Sequence, residues 1–106
     1  MTPEIRLFPA ANARLDEIYD YTRETWGEAQ AERYLRGLST AFAAIARREV
    51  VWRPIPAEFG VNGWYARHER HFIYWKLLPD GALGVVTILH SRMHQMDRFR
   101  EDAGEV

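Results

Sequence analysis

Two imidazoles flank a guanidinium in the series His90-Ser91-Arg92-Met93-His94, and Tyr65, Arg67 and Glu69 stand a short distance upstream. These are the residue types that cleavage of an RNA strand demands: a base for the 2′-hydroxyl, an acid for the leaving oxygen and cations for the strained phosphate. The set is incomplete. No second carboxylate is placed beside it, and lysine occurs only at Lys76. His90 and His94 read better as surface or half-buried hydrogen-bonding residues than as catalysts, so no catalytic residue is assigned. Metal and cofactor chemistry finds no support either. His68 and His71 straddle a turn, but no cysteine exists and no carboxylate cluster completes them. There is no glycine-rich phosphate loop and no helix with paired catalytic carboxylates. The expectation is no metal, no cofactor and no small-molecule substrate.

A second constellation points to binding. Arg67, Arg70, Lys76 and Arg92 fall on or beside three consecutive strand-like segments, interleaved with Trp64 and Tyr74. The following residues His94, Met96 and Phe99 add a cationic and apolar tail. Aromatic and arginine side chains supply most of the energy at protein interfaces. Trp64, Arg67, Arg70, Tyr74, Lys76, Arg92, His94, Met96 and Phe99 are therefore the candidate partner-binding residues. Nonspecific binding to nucleic acid is not favoured, because the formal net charge is −1. The basic residues other than Lys76 are all arginine, a bias that genome composition explains better than function, although arginine's planar fork suits protein and phosphate interfaces.

The elements that must position these residues are legible from periodicity. Glu4 to Phe8 reads as a short strand. Pro9 suits the first turn of a helix, whose missing N–H costs nothing there. Leu15, Ile18, Tyr19, Thr22 and Trp26 recur at spacings of three and four, one face of an amphipathic helix. Gly27 suits a left-handed C-terminal cap. A second helix carries Ala31, Tyr34, Leu35, Leu38, Ala41, Phe42 and Ile45, with Arg47 and Arg48 near its negative end. So short a connection predicts an antiparallel hairpin. Val50 to Asn62, with Pro54, Pro56 and Gly60, predicts a long loop packed down by Val51, Trp52, Ile55 and Phe59. Trp64–His68, His71–Leu78 and Leu83–His90 predict an antiparallel meander, with turns at Glu69-Arg70 and Pro79-Asp80-Gly81. Met93, Met96 and Phe99 allow one or two helical turns.

The predicted fold is α+β, in the order β-α-α-β-β-β: an N-terminal strand and a helical hairpin on a small, mainly antiparallel sheet. One domain is expected over residues 1–100, with a disordered tail at 101–106. Two helices cover only one face of a sheet. Yet Ile73, Trp75 and Leu77 fall on one side of the middle strand, and Phe72, Tyr74 and Leu78 on the other. Strands apolar on both sides want cover on both. Either the long loop and the tail supply it, or an apolar patch awaits a partner. Apolar residues near the start are broken by Glu4, Arg6 and Pro9, so no signal peptide is expected, and no run suffices to span a bilayer. The expected location is cytoplasmic, without membrane contact.

Arg14 to Leu35, RLDEIYDYTRETWGEAQAERYL, resembles the helical hairpin of the ParE toxins, part of the wider RelE/ParE group. The shared elements are L-x-x-I-x-x-Y-T in the first helix, Trp26-Gly27 at the bend and A-x-x-Y-L in the second. Arg67 to Trp75 (RHERHFIYW) and the segment Val86-Thr87-Ile88-Leu89-His90-x-Arg92-Met93 are similar to later strands of the same family. The resemblance implies a toxin of a type II toxin–antitoxin pair, bound and neutralised by a ParD-like antitoxin in a hetero-oligomer. It implies DNA gyrase as the target and no enzymatic activity. Operator DNA would be reached only through the antitoxin. Relatives similar to RelE instead cut messenger RNA on the ribosome, which makes an endoribonuclease the alternative.

Overall fold

Pro9 opens the first helix of the computed structural model, which describes residues 2–104. The chain enters through a three-residue strand, β1 (Ile5–Leu7), and turns at extended Phe8 into α1 (Pro9–Trp26). Gly27 then serves both helices. Its N–H donates to the Arg23 carbonyl at 2.9 Å, and its own carbonyl accepts from Ala31 at 3.1 Å, which starts α2 (Glu28–Ala46). The backbone angles there, φ 97° and ψ 165°, are not those of the expected left-handed cap. They lie in a region that glycine alone occupies readily, which lets one residue end a helix and begin the next. Arg47 and Arg48 follow α2 and are not part of its last turn; Arg47 pairs with Glu49 and Arg48 stacks on Trp52.

Five strands form one sheet in the order β1-β5-β4-β3-β2. β3 (Trp64–His68), β4 (His71–Leu77) and β5 (Leu83–His90) are the predicted meander. β1 joins β5 in parallel, with Leu7 opposite Val85, so the sheet is mixed. The long loop holds two further pieces: a strand, β2 (Arg53–Pro54), antiparallel to β3, and a 3₁₀ turn at Ala57–Phe59. Pro54 sits opposite Trp64, on an edge strand where a missing N–H is tolerated. The β4–β5 register shifts at Tyr74/Trp75, and Val86 is the extra residue of this bulge.

Both faces of the sheet are covered. α1 and α2 place Ala11, Ile18, Leu38, Phe42 and Ile45 against Ile73, Trp75, Leu83, Val85 and Ile88. The opposite face is closed by the loop and by a third helix, α3 (Gln95–Ala103), whose Phe99 packs with Ile55, Tyr74, Val86 and Leu89. Burying a side chain of this size contributes about 1.5–3 kcal/mol. The disorder expected beyond Arg100 is therefore corrected for residues 101–104: α3 continues to Ala103, and Asp102 is buried. Residues 105 and 106 lie outside the described part. The physical reason for the ordered end is a polar anchor. Asp102 accepts two hydrogen bonds from Arg14 of α1, at 3.0 and 3.2 Å, and one from the Thr87 hydroxyl of β5 at 2.7 Å. That bidentate pair raises the Arg14 pKa further, chiefly through its hydrogen bonds to Asp102. Of the α1 stripe, Ile18 is buried, whereas Trp26 ends up exposed at the hairpin tip. No described helix is long and apolar enough to cross a membrane.

Candidate functional site

The strand registers decide which of the candidate binding residues meet. His68 lies opposite His71, and His71 opposite His90. The end of β3, the start of β4 and the end of β5 therefore share one end of the sheet. Arg67, Arg70 and Arg92 are all exposed there. The Arg67 guanidinium lies 5.5 Å from the centre of the Phe72 ring, and its Nε donates to the Glu69 carbonyl at 2.8 Å. Ser91 N–H donates to the Arg70 carbonyl at 2.8 Å, which ties the β5 exit to the β3–β4 turn. His94 follows as the exposed residue before α3, with Nδ1 3.1 Å from Asp97.

The other candidates separate from this group. Trp64 and Lys76 belong to the opposite end of the strands. Trp64 is half-buried against Trp52 at 5.2 Å between ring centres, and the Lys76 ammonium lies 5.6 Å from the Phe8 ring centre. Met96 is half-buried on α3. Tyr74 and Phe99 are corrected outright as surface residues: they are 3% and 0% exposed. Their rings pack 5.0 Å apart, and the Tyr74 hydroxyl donates to Gln95 at 2.8 Å. Burial and the nearby Tyr65 push the Tyr74 pKa up to about 12, so this hydroxyl remains a donor. The reason is the cover supplied by α3, which sequence periodicity showed only as far as Phe99.

On the α2 side of the same sheet end stands an arrangement that sequence did not signal. The Tyr34 hydroxyl is 2.6 Å from Nδ1 of His71. The His71 and His90 rings meet edge to face at 5.1 Å, and the His68 ring lies 6.0 Å from that of Tyr34. Desolvation, followed by the charges of His90, His68 and Arg70, lowers the His71 pKa to about 4. His90 is also lowered, by partial burial and then by Arg92 and Arg70. Burial raises the Tyr34 pKa. A neutral imidazole bonded to a neutral phenol is a pairing that holds α2 to β4. His71 is only 8% exposed. Tyr34 and His71 are 37 residues apart, and Tyr34 reads in sequence as part of an apolar stripe.

Two contacts link the nuclease candidates: Arg67 with the Glu69 carbonyl, and Arg92 with His90. His90 Nδ1 accepts the Arg92 backbone N–H at 3.0 Å. Among the described residues no hydrogen bond joins any two of Tyr65, Glu69, His90 and His94. Nor, among them, does any group of three or more His, Cys, Asp or Glu stand where it could hold a metal ion.

The family described as ParE toxin of type II toxin–antitoxin system, parDE, matches residues 5–95. The chain belongs to the ParE toxin family. Toxin ParE1 of Mycobacterium tuberculosis is 34% identical over 95 residues, covering 88% of this chain and 94% of the relative. Toxin ParE of Escherichia coli is 34% identical over 91 residues, covering 86% and 87%. Among solved structures, a chain of the chromosomal ParDE TA system from P. aeruginosa superposes with a TM-score of 0.68 at 15% identity. It covers 84% of this chain and 96% of that one. This likeness is one of fold. The ParE match reaches β1, both hairpin helices and all three meander strands, and it stops at residue 95, where α3 begins.

Proposed function

We propose that this ParE-family toxin acts by binding DNA gyrase as a protein partner, without a catalytic step, and that a ParD-like antitoxin neutralises it. The observation that carries the reading is the exposed arginine group of Arg67, Arg70 and Arg92 at one sheet end, beside Phe72 and His94. Three guanidiniums and an aromatic edge suit an acidic protein surface. At the same sheet end the His71 Nδ1 is engaged by the Tyr34 hydroxyl and the His90 Nδ1 by the Arg92 backbone N–H. Contact with operator DNA passes through the antitoxin, in keeping with a net charge of −1. The test is supercoiling by purified gyrase with the free toxin added. Inhibition that the antitoxin relieves is expected; supercoiling unaffected at saturating toxin rejects the reading. The endoribonuclease alternative is supported by His90 lying among the same arginines. Mapping messenger RNA ends after induction separates the two, because site-specific cuts in translated message favour cleavage.

A further inference from the structure

The turn that carries Arg92 is exposed at its tip, yet it is built as a fixed frame. It leaves β5 after His90 and enters α3 at Gln95. Gln95 commits its whole amide to the frame. Its Nε2 donates to the His90 carbonyl at 2.8 Å and to the Met93 carbonyl at 3.0 Å, and its Oε1 accepts from the buried Tyr74 hydroxyl at 2.8 Å. The Met93 N–H closes the turn on the His90 carbonyl at 3.0 Å, and the Ser91 N–H reaches the Arg70 carbonyl at 2.8 Å. Arg92 itself is held through its N–H, which donates to Nδ1 of His90 at 3.0 Å. The His90 ring is in turn fixed edge to face on His71, at 5.1 Å between centres. A neutral ring that accepts at Nδ1 carries its proton on Nε2. Partial burial, then the charges of Arg92 and Arg70, favour that neutral form. The guanidiniums of Arg70 and Arg92, by contrast, make no ion pair or hydrogen bond among the described residues.

We propose that His90 is a positioning residue of the arginine surface: its Nδ1 presets the backbone at Arg92, so that the guanidinium reaches a protein partner from a fixed base. The proposal rests on the reading above, in which Arg67, Arg70 and Arg92 dock on gyrase. The physical reason is conformational entropy. A free side chain on a mobile turn must be ordered together with its backbone when the partner binds, whereas a held backbone is ordered already by folding. Ordering the backbone of one residue at the moment of binding weakens affinity by about ten-fold. The contact runs from the side chain at 90 to the N–H two residues on. Asparagine makes the same span with its side-chain carbonyl, as in an Asx-turn. Phenylalanine keeps a ring against His71 but offers no acceptor. What this position needs is an acceptor, not a proton carrier, and that separates the role from the general base of a nuclease, which asparagine cannot replace.

The experiment uses the full chain and purified gyrase. Affinity is measured for wild type, His90→Phe, His90→Asn, Arg92→Ala and the double variant His90→Phe/Arg92→Ala. Thermal melting checks the fold, and amide hydrogen exchange at Arg92 in the free toxin reads the contact itself. Exchange at Arg92 is expected to be slow in wild type and His90→Asn and fast in His90→Phe. His90→Phe weakens gyrase binding by about ten-fold, and His90→Asn stays within about two-fold of wild type. In the Arg92→Ala background His90→Phe changes affinity by less than about two-fold, because its effect passes through Arg92. His90→Ala carries the same expectations as His90→Phe and replaces it if that variant does not melt cooperatively. Three results overturn the proposal: His90→Asn as weak as His90→Phe, His90→Phe as tight as wild type, or the loss persisting undiminished beside Arg92→Ala. A wild-type chain that binds no gyrase, or Arg92→Ala with unaltered affinity, sinks the underlying reading instead.

Discussion

His71 is the residue whose environment departs furthest from its ordinary one. Its folded-state pKa of about 4 lies below the usual 6.5 because burial desolvates the ring and the charges of His90, His68 and Arg70 lie nearby. The unfolded chain therefore takes up a proton as pH falls through 6.5, while the folded chain does not until about pH 4. Stability is expected to be constant from this source above pH 6.5, to fall between 6.5 and 4, and to level off below. His90, also lowered, acts in the same direction. Thermal melting from pH 8 to pH 4 checks this, and His71→Asn is expected to flatten much of the slope. An unchanged slope would mean that His71 is not the group responsible.

Among the elements, α3 and the hairpin bend depend on single residues. α3 is held by Phe99 on its apolar side and by the buried Arg14–Asp102–Thr87 contact on its polar side. Asp102→Ala leaves Arg14 with Glu17 alone and the Thr87 hydroxyl without its acceptor, and losing charge-assisted hydrogen bonds at this part-buried site costs about 1.5–3 kcal/mol. Urea unfolding of Asp102→Ala should show that loss, and loss of α3 order should expose Tyr74 to quenchers. At the bend, Gly27 has φ 97° with no neighbouring atom in the way of a side chain. Gly27→Ala is therefore destabilising through backbone strain and not through a clash, by about 1–3 kcal/mol. An equally stable Gly27→Ala protein would show that the bend relaxes freely.

At the scale of the whole molecule, a sheet closed on both faces leaves the strand ends exposed. Arg67, Arg70 and Arg92 are exposed and belong to neither core cluster, so their replacement should spare the fold. The triple change Arg67→Glu, Arg70→Glu, Arg92→Glu is expected to melt within about 5 °C of wild type and to lose growth inhibition in cells lacking the antitoxin. Retained toxicity at equal expression would move the target-binding surface elsewhere.

Much of this protein is written in local pattern. Pro9, Gly27 and the three-and-four spacing of Ile18, Leu38, Phe42 and Ile45 fix the hairpin, because helix boundaries and faces depend on near neighbours. The meander is equally local, since the turns at Glu69-Arg70 and Pro79-Asp80-Gly81 leave its strands little choice of partner. The motifs in these same segments carried the family resemblance. Tertiary structure alone decided the rest. That β1 pairs with β5 in parallel, that Tyr34 finds His71, and that Asp102 anchors α3 to Arg14 are contacts between residues far apart in sequence, with no periodic signature. The open or closed state of the second sheet face also turned on such contacts. Both faces are apolar in sequence, and only the packing of Phe99 and Ile55 onto Tyr74, Val86 and Leu89 shows that the chain covers itself. Local order follows from spacing, but burial is settled by what the rest of the chain brings into place.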